Sequence, residues 1–129
     1  MSNFEVGSFS VGANGTTTLS LNGSFTPQLI EFDIGPRFNT TETLITRSSG
    51  WHDLVNGTKA SISVFDDNTI RRTIETTASS ITHYKNVGGT FTKIIDGTVS
   101  NPQPGSFDYT PATGFFDPNY KIRFKVFGA

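Results

Sequence analysis

The sequence predicts an all-β fold, an antiparallel β-sandwich with little or no helix. Short segments in which apolar and polar residues alternate recur along the chain, and residues typical of turns separate them every ~8–12 positions. There are 12 Phe among the 129 residues, Thr is also abundant, and both residue types suit a pleated surface buried on one side. No stretch shows helical periodicity. We therefore expect residues 1–129 to form one sandwich domain.

The first third of the chain contains three predicted strands. The first carries four apolar residues and a break at Gly7-Ser8 that fits a bulge; they are Phe4, Val6, Phe9 and Val11. Two more strands lie between Asn14 and Gly35, where Asn-Gly turns and Pro27 mark the strand ends. In the second of these, one side of the strand is apolar, with Ile30, Phe32 and Ile34.

The middle of the chain is predicted to alternate strands with turns. Residues 43–47 and 60–65 alternate as strands do, whereas Ser, Gly and Asp predict a loop from Ser48 to Asp53. Weaker strand patterns follow around residues 70–74 and 80–85. Further turns are expected at Asn56-Gly57, Asp66-Asp67-Asn68 and Gly88-Gly89. The Asp66 turn lacks the spacing of a calcium loop, so we expect no metal there.

The C-terminal part ends in the clearest strand pattern of the sequence. Residues 91–95 predict a strand that turns at Asp96-Gly97, residues 101–105 predict a loop because they contain two prolines, and residues 113–116 predict a short strand. In the last strand, four alternating residues are expected to face the core: Tyr120, Ile122, Phe124 and Val126. The residues between them, Lys121, Arg123 and Lys125, are expected to face solvent, where they would protect the strand if it lies at a sheet edge.

The charge and composition argue against several function classes. The net charge is −1, there is no Cys and there are only two His, so neither a basic nucleic-acid surface nor a thiolate metal site is indicated. No apolar run is long enough to span a membrane, and residues 1–5 lack the order of a signal peptide. Nucleotide-binding and nucleophile motifs are absent as well. We expect no catalysis and no cofactor.

Both ends of the chain resemble small β-sandwich modules of tailed-phage virion proteins. The resemblance rests on the glycine-rich turn, short strand and Phe-x-Pro of residues 12–32, and on Gly114-Phe115-Phe116 followed by residues 120–128. The outline is also similar to H-type lectin domains. The resemblance implies a jelly-roll, Ig-like or H-type-lectin-like sandwich without catalysis, but no sugar-contact pattern of the lectins can be assigned to residues of this chain.

The same resemblance implies a place in the virion. Such modules serve as tail, fibre, baseplate or head-surface parts, commonly as trimers or higher rings that dock onto other virion proteins. The expected location is therefore the virion, assembled in the host cytoplasm. The many Phe residues fit this expectation if some lie between subunits, although a Phe-rich core is the alternative; those in question are Phe25, Phe38, Phe65, Phe115, Phe116 and Phe127.

A cluster of polar and aromatic residues suggests a second function, the binding of a host-surface glycan. Trp51 is expected to stack on a sugar ring, with His52 and Asp53 bonding its hydroxyl groups, and Tyr84 is a further candidate contact. The alternative is that Trp51 covers the core or packs at a subunit interface while its neighbours form a turn. The sequence leaves both interpretations open.

Overall fold

The computed structural model describes residues 3–35, 45–66, 71–87 and 90–129. These residues form strands and no helix, which confirms the predicted all-β antiparallel sandwich; accordingly, none of them belongs to a helix that could cross a membrane. The strands are β1 (Asn3–Phe9), β2 (Thr17–Ser20), β3 (Pro27–Ile34), β4 (Ile45–Asp53), β5 (Thr58–Asp66), β6 (Arg71–Thr76), β7 (Ile81–Val87), β8 (Thr90–Gln103), β9 (Ser106–Pro111) and β10 (Ile122–Gly128).

Two sheets pack face to face. The larger sheet has six strands in the order β1-β10-β3-β4-β5-β6, and the smaller has four in the order β2-β9-β8-β7. All neighbouring strands pair antiparallel. The C-terminal strand β10 lies between β1 and β3. Its exposed residues Arg123 and Lys125 therefore do not protect a sheet edge, because β10 has a strand neighbour on each side.

One half of the sandwich has an apolar core. The alternation predicted for β3 and β10 is confirmed, because Ile30, Phe32 and Ile34 are buried on one side of β3, and Ile122 and Val126 on the same side of β10. Aromatic rings from both sheets complete this core, with ring centroids 5.0 to 6.1 Å apart; they are Phe9, Phe107, Tyr109 and Phe124. Burial of these large apolar side chains is the main stabilising contribution of this half.

The predicted bulge at Gly7-Ser8 is not found. Strand β1 pairs with β10 in unbroken register from Asn3 to Phe9. Gly7 has a different role, because a side chain at this position would overlap the ring of Phe124. The glycine that suggests a break in the sequence thus makes room for a core aromatic residue.

The other half of the sandwich has a polar interior. Here β4 and β5 face β7 through a polar seam, which we define as Ser48, His52, Ser61, Ser63, Ser80, Thr82 and His83, all of them buried. Ser48 Oγ forms hydrogen bonds of 2.7 Å with both Ser63 Oγ and His83 Nδ1. Ser80 Oγ lies 2.7 Å from His52 Nδ1 and accepts a hydrogen bond from the amide of Val99. These bonds offset the cost of burying polar groups.

Part of the polar seam covers an edge of the smaller sheet. Strand β7 is the last strand of that sheet in the described part of the chain, so one side of it lacks a strand partner. The amide of Thr82 donates to Ser61 Oγ at 2.9 Å, and Ser63 Oγ donates to the Thr82 carbonyl at 3.3 Å. Two serines of the larger sheet therefore satisfy backbone groups that an edge strand leaves open.

The predicted loop from Ser48 to Asp53 is wrong, because these residues belong to β4. Their turn-forming composition has another cause. A Cβ at Gly50 would collide with the carbonyl oxygen of Ser80, so the backbones of β4 and β7 approach more closely than larger side chains permit. Small residues on the inner side of β4 are a requirement of this contact between sheets and not a sign of a turn.

Three predictions for the C-terminal part are also wrong. Strand β8 continues through Asp96-Gly97, where Gly97 leaves space for the Tyr109 ring, and it extends to Gln103 past an irregularity after Ser100. The predicted loop shrinks to a turn that includes Gly105 at φ 82°. Residues 113–116 form a turn and coil and not a strand. The turns predicted at residues 67–68 and 88–89 lie outside the described residues.

Replacing Gly50 by Ala is expected to destabilise the fold strongly. The added methyl group meets the rigid backbone of β7, so the two sheets must separate, at a cost of roughly 2–3 kcal/mol. Urea unfolding of Gly50→Ala and Gly12→Ala measures the effect. Gly12 is the matched control, because a Cβ there makes only an ordinary contact of 3.6 Å with Pro118. Equal stability losses in both variants would contradict the close approach.

The stability of the protein is expected to fall between pH 6.5 and pH 4 because of His83. Burial lowers the pKa of His83 to about 4, against 6.5 for the free side chain. In this range the unfolded chain takes up a proton that the folded chain refuses, so unfolding becomes easier as the pH falls, by about 3 kcal/mol at pH 4.

The pH effect is measured by urea unfolding at several pH values in the original protein and in His83→Asn. The Asn side chain keeps a polar atom near the position of Nδ1, which bonds Ser48, but it does not titrate. The free energy of unfolding is plotted against pH for both proteins. The difference between the two slopes isolates the contribution of His83 from that of the carboxylates that the two proteins share. Parallel curves for the two proteins would show that His83 is not the cause.

Candidate functional site

Trp51 lies on the outer face of the six-stranded sheet, the face turned away from the smaller sheet. The Trp51 side chain is 41% exposed. It borders an open depression of about 1580 Å³ that extends across the sheet and is lined by residues from β1, β10, β3, β4, β5 and β6. The outer face therefore offers a binding surface that includes Trp51.

The strand register arranges the outer face in rows. We name two rows after their β4 residue and read each from β1 toward β6. The Trp51 row consists of Val6, Lys125, Glu31, Trp51 and Ala60. The Ser49 row consists of Ser8, Arg123, Asp33, Ser49, Ile62 and Glu75. Directly opposite side chains in such rows are close enough to interact.

Charges of opposite sign lie side by side in the middle of this face. Strand β10 presents a basic strip of Arg123 and Lys125, with Lys121 just before the strand, and β3 presents Asp33 and Glu31 beside it. The Arg123 guanidinium lies 2.7 Å from the Asp33 carboxylate, and both side chains are more than half exposed. An ion pair this exposed contributes little to stability, of the order of 0–1 kcal/mol. The strip therefore calls for an explanation other than folding energy.

Apolar side chains are exposed on both sides of this charged strip. Phe4 and Val6 of β1 are 55% and 60% exposed, and Phe4 packs on Phe127 with ring centroids 5.1 Å apart. Together with Trp51 on β4, they account for three of the four large hydrophobic residues that are exposed in the described part of the chain. The fourth is Val55 in the turn after β4.

The Phe residues that suggested subunit contacts have several different positions. Phe65 is buried, while Phe25 and Phe116 pack against the core as partly buried residues. Phe115 lies beneath Lys93, whose Nζ is 4.5 Å from the ring centroid. Of this set only Phe127 reaches the outer face, and Phe38 lies outside the described residues. The core thus accounts for three of the five members that the structure describes.

His52 lies on the opposite side of β4 from Trp51. Successive residues of a strand point to opposite faces, and the His52 side chain is buried in the polar seam against Ser80. Burial is the main cause that lowers the pKa of His52, and Lys59 lowers it further, while Asp53 raises it. The ring is therefore neutral near pH 7, and it does not face the depression.

Asp53 and Tyr84 are engaged elsewhere. The Asp53 carboxylate accepts hydrogen bonds from the amides of Val55 and Asn56 and from Asn56 Nδ2, at 2.7 to 3.0 Å, and these bonds lower its pKa. Tyr84 is on β7 of the smaller sheet, where its ring packs edge-on against Phe65 at 5.8 Å. The structure therefore brings neither His52 nor Tyr84 to Trp51, and Asp53 holds a turn.

The residues that surround Trp51 are ones that sequence reasoning did not select. The nearest across the sheet are Glu31 on β3 and Ala60 on β5, with Asp33 and Ser49 in the next row. Glu31 and Asp33 alternate with the buried residues of β3 and therefore lie on its outer side. Their position beside Trp51 depends on strand pairing between distant parts of the chain, for which the sequence gives no signal.

The described residues offer no metal site, and the chain matches no known protein. Among residues 3–35, 45–66, 71–87 and 90–129, no group of three or more His, Cys, Asp or Glu side chains is placed to hold a metal ion. Comparison with known proteins found no matching family model, no similar curated protein and no similar solved structure.

Proposed function

We propose that this protein is a non-enzymatic structural component of a bacteriophage or prophage virion, in the tail, fibre, baseplate or head surface. It acts by binding copies of itself and other virion proteins. The observation that supports docking is the outer face of the larger sheet, with exposed Phe4, Val6 and Trp51 around a charged centre. The assignment to a virion rests on the resemblance of residues 12–32 and 114–128 to phage sandwich modules.

Exposed apolar residues grouped on one face are typical of interaction surfaces. The acidic and basic residues of this face lie next to one another on β3 and β10 instead of converging in a cleft, as Arg123 and Asp33 show. This arrangement suits recognition of a surface rather than chemistry on a small substrate. It also gives a binding partner both charges and apolar contacts to complement.

The assembly that the resemblance implies is a trimer or a higher ring. In the described part of the chain, the six-stranded sheet ends at β1 and at β6, and an edge strand presents backbone groups to a neighbour. Head-to-tail contacts that involve such edges form a ring when the rotation from one copy to the next closes. The proposed location is the virion, with assembly in the host cytoplasm.

Self-association is expected in solution and is expected to depend on the apolar residues of β1. Analytical ultracentrifugation over a wide concentration range should show species larger than the monomer, and replacement of both Phe4 and Val6 by Ser should weaken their formation by about tenfold. Val55→Ser is the matched control, because Val55 is 67% exposed but lies off this face. A protein that remains monomeric throughout contradicts the proposal, as does an equal effect of the control.

The second candidate function is the binding of a host-surface glycan on the same face. The observation that favours it is the exposed Trp51 ring beside an open depression with Glu31 and Asp33 nearby. An aromatic ring offers its apolar face to a sugar ring, and carboxylates accept hydrogen bonds from its hydroxyl groups. A fibre or baseplate part with this property would contact the host directly.

Glycan binding is tested with a glycan array and with titration of the Trp51 fluorescence. If the second candidate is right, Trp51→Ala abolishes binding on the array and Trp51→Phe retains part of it. Fluorescence titration, which requires Trp51, measures Glu31→Gln, and this variant is expected to bind about tenfold more weakly. Tyr84→Phe is the control, because Tyr84 lies on the smaller sheet against Phe65, and it should bind like the original protein. Binding that survives Trp51→Ala, or an array without signal, contradicts this candidate.

A further inference from the structure

We propose that the outer face binds the same face of a second copy across a two-fold axis parallel to the strands, between β3 and β10. The contact involves β1, β10, β3 and β4, the first four strands of the larger sheet. The inference rests on the self-association proposed above and specifies one interface of it. It concerns a pairwise contact, separate from the head-to-tail contacts of a ring.

The order of residues within the rows carries the inference. From β1 to β4, the Trp51 row reads apolar, basic, acidic, apolar: Val6, Lys125, Glu31, Trp51. The Ser49 row reads hydroxyl, basic, acidic, hydroxyl: Ser8, Arg123, Asp33, Ser49. Each row keeps its pattern when it is reversed, except that the basic and acidic positions exchange.

A half-turn about the proposed axis produces this reversal. It places β10 of one copy opposite β3 of the other and β1 opposite β4, while each row stays level with itself. Lys125 then faces the second copy's Glu31, and Arg123 faces the second copy's Asp33. Val6 faces the second copy's Trp51. Every central charge meets its opposite, and exposed apolar groups meet each other, as a self-complementary two-fold interface requires.

The central residues of the next row along the strands also fit the proposed two-fold contact. It reads Phe4, Phe127, Leu29, Asp53, so the half-turn places Phe127 opposite the second copy's Leu29. Phe4 meets Asp53 at the rim, where the carboxylate already accepts hydrogen bonds within its own turn. The twist of the sheet is preserved by rotation about an axis along the strands, so two such faces remain parallel to each other.

The balance of charges favours a second copy over other occupants. A surface of one sign would attract an oppositely charged ligand. Within the four strands of the contact, however, the Trp51 row and the Ser49 row pair two basic residues on β10 with two acidic residues on β3. The ion pair of Arg123 and Asp33 leaves both side chains more than half exposed. Each can therefore meet a further charge without losing its present partner.

The size of the contact indicates a weak, reversible dimer. Four strands at ~4.8 Å spacing and three rows at ~6.8 Å cover roughly 19 by 20 Å. The area of such a contact lies at the small end of the range found for specific protein interfaces. Charges at the centre fix the orientation of the partner more than they raise affinity. Experiments must therefore include high protein concentrations.

The test uses two variants that give the face a single sign. Glu31→Lys with Asp33→Lys makes the four-strand region basic, and Arg123→Glu with Lys125→Glu makes it acidic. Each variant alone is expected to pair at least about tenfold more weakly than the original protein, because like charges face each other. An equimolar mixture is expected to form heterodimers, since basic and acidic faces are complementary. Ultracentrifugation measures all three samples.

Trp51 supplies an independent reading at the same interface. It is the one Trp of the sequence, so the fluorescence of the protein reports on this face alone. Its emission is expected to shift to the blue when Val6 of the second copy covers it, both in the concentrated original protein and in the mixture of variants. The separate variants should keep the emission of the exposed ring.

Two controls separate the interface from general effects. Glu75→Lys reverses a charge on the same outer face, but on β6 outside the four strands, and it should leave pairing unchanged. Both double variants lose the ion pair of Arg123 and Asp33. If this loss impaired folding, the mixture would remain as impaired as each variant alone, whereas a loss of pairing alone is restored in the mixture. Circular dichroism of each variant confirms that the sheets are retained.

The outcomes distinguish this inference from the proposed function. If the original protein self-associates but the variants do so equally well, or if the mixture remains monomeric, this interface is wrong and another surface mediates assembly. If the original protein is monomeric at every concentration, the proposed self-association fails as well. A monomer whose Trp51 emission shifts only with a glycan assigns the face to the glycan and overturns the second copy.

Discussion

The contact between the backbones of β4 and β7 is the constraint that shapes the half of the sandwich that contains the polar seam. The carbonyl of Ser80 leaves no room for a side chain at Gly50. Ser61 Oγ accepts a hydrogen bond from the amide of Thr82. Beside this contact, the interior carries residues that are small or that hydrogen-bond across the gap, such as Ser48, Ser61 and Thr82. Ser, Thr and His therefore occupy the interior beside this contact. The main apolar core surrounds β3, β9 and β10, and a separate aromatic cluster of Phe65, Tyr84 and Phe91 joins β5, β7 and β8.

The same constraint explains why the only Trp is exposed. In β4 the inward positions include Ser48, Gly50 and His52, all of which meet β7 or its neighbours, and no large ring fits among them. A large side chain on this strand must occupy an outward position, and Trp51 does. The polar seam and the outer face thus lie on the two sides of β4. A change that widened the gap between the sheets would alter both.

The sequence predicted the parts of this fold that depend on local alternation. Ile30 to Ile34 and Ile122 to Val126 revealed both the strands and their buried sides. The prediction is wrong at β4, because Ser and Gly are typical of turns, whereas here Gly50 and Ser48 permit close packing between the sheets. The sequence also suggested a cluster of Trp51 with His52, neighbours in sequence that a strand turns to opposite faces. The true neighbours of Trp51, such as Glu31, are set by strand pairing, which no local pattern encodes.

The charged centre of the outer face bears on what that face is for. Most protein interfaces have an apolar centre and a polar rim, whereas here Lys125 and Glu31 lie between the apolar Val6 and Trp51. Exposed ion pairs add little to folding stability, so stability does not account for the arrangement. Charges in the centre of a contact select one orientation and penalise others. A part that must join a larger structure in a single pose needs this selectivity more than it needs affinity, because the many contacts of an assembly supply the latter.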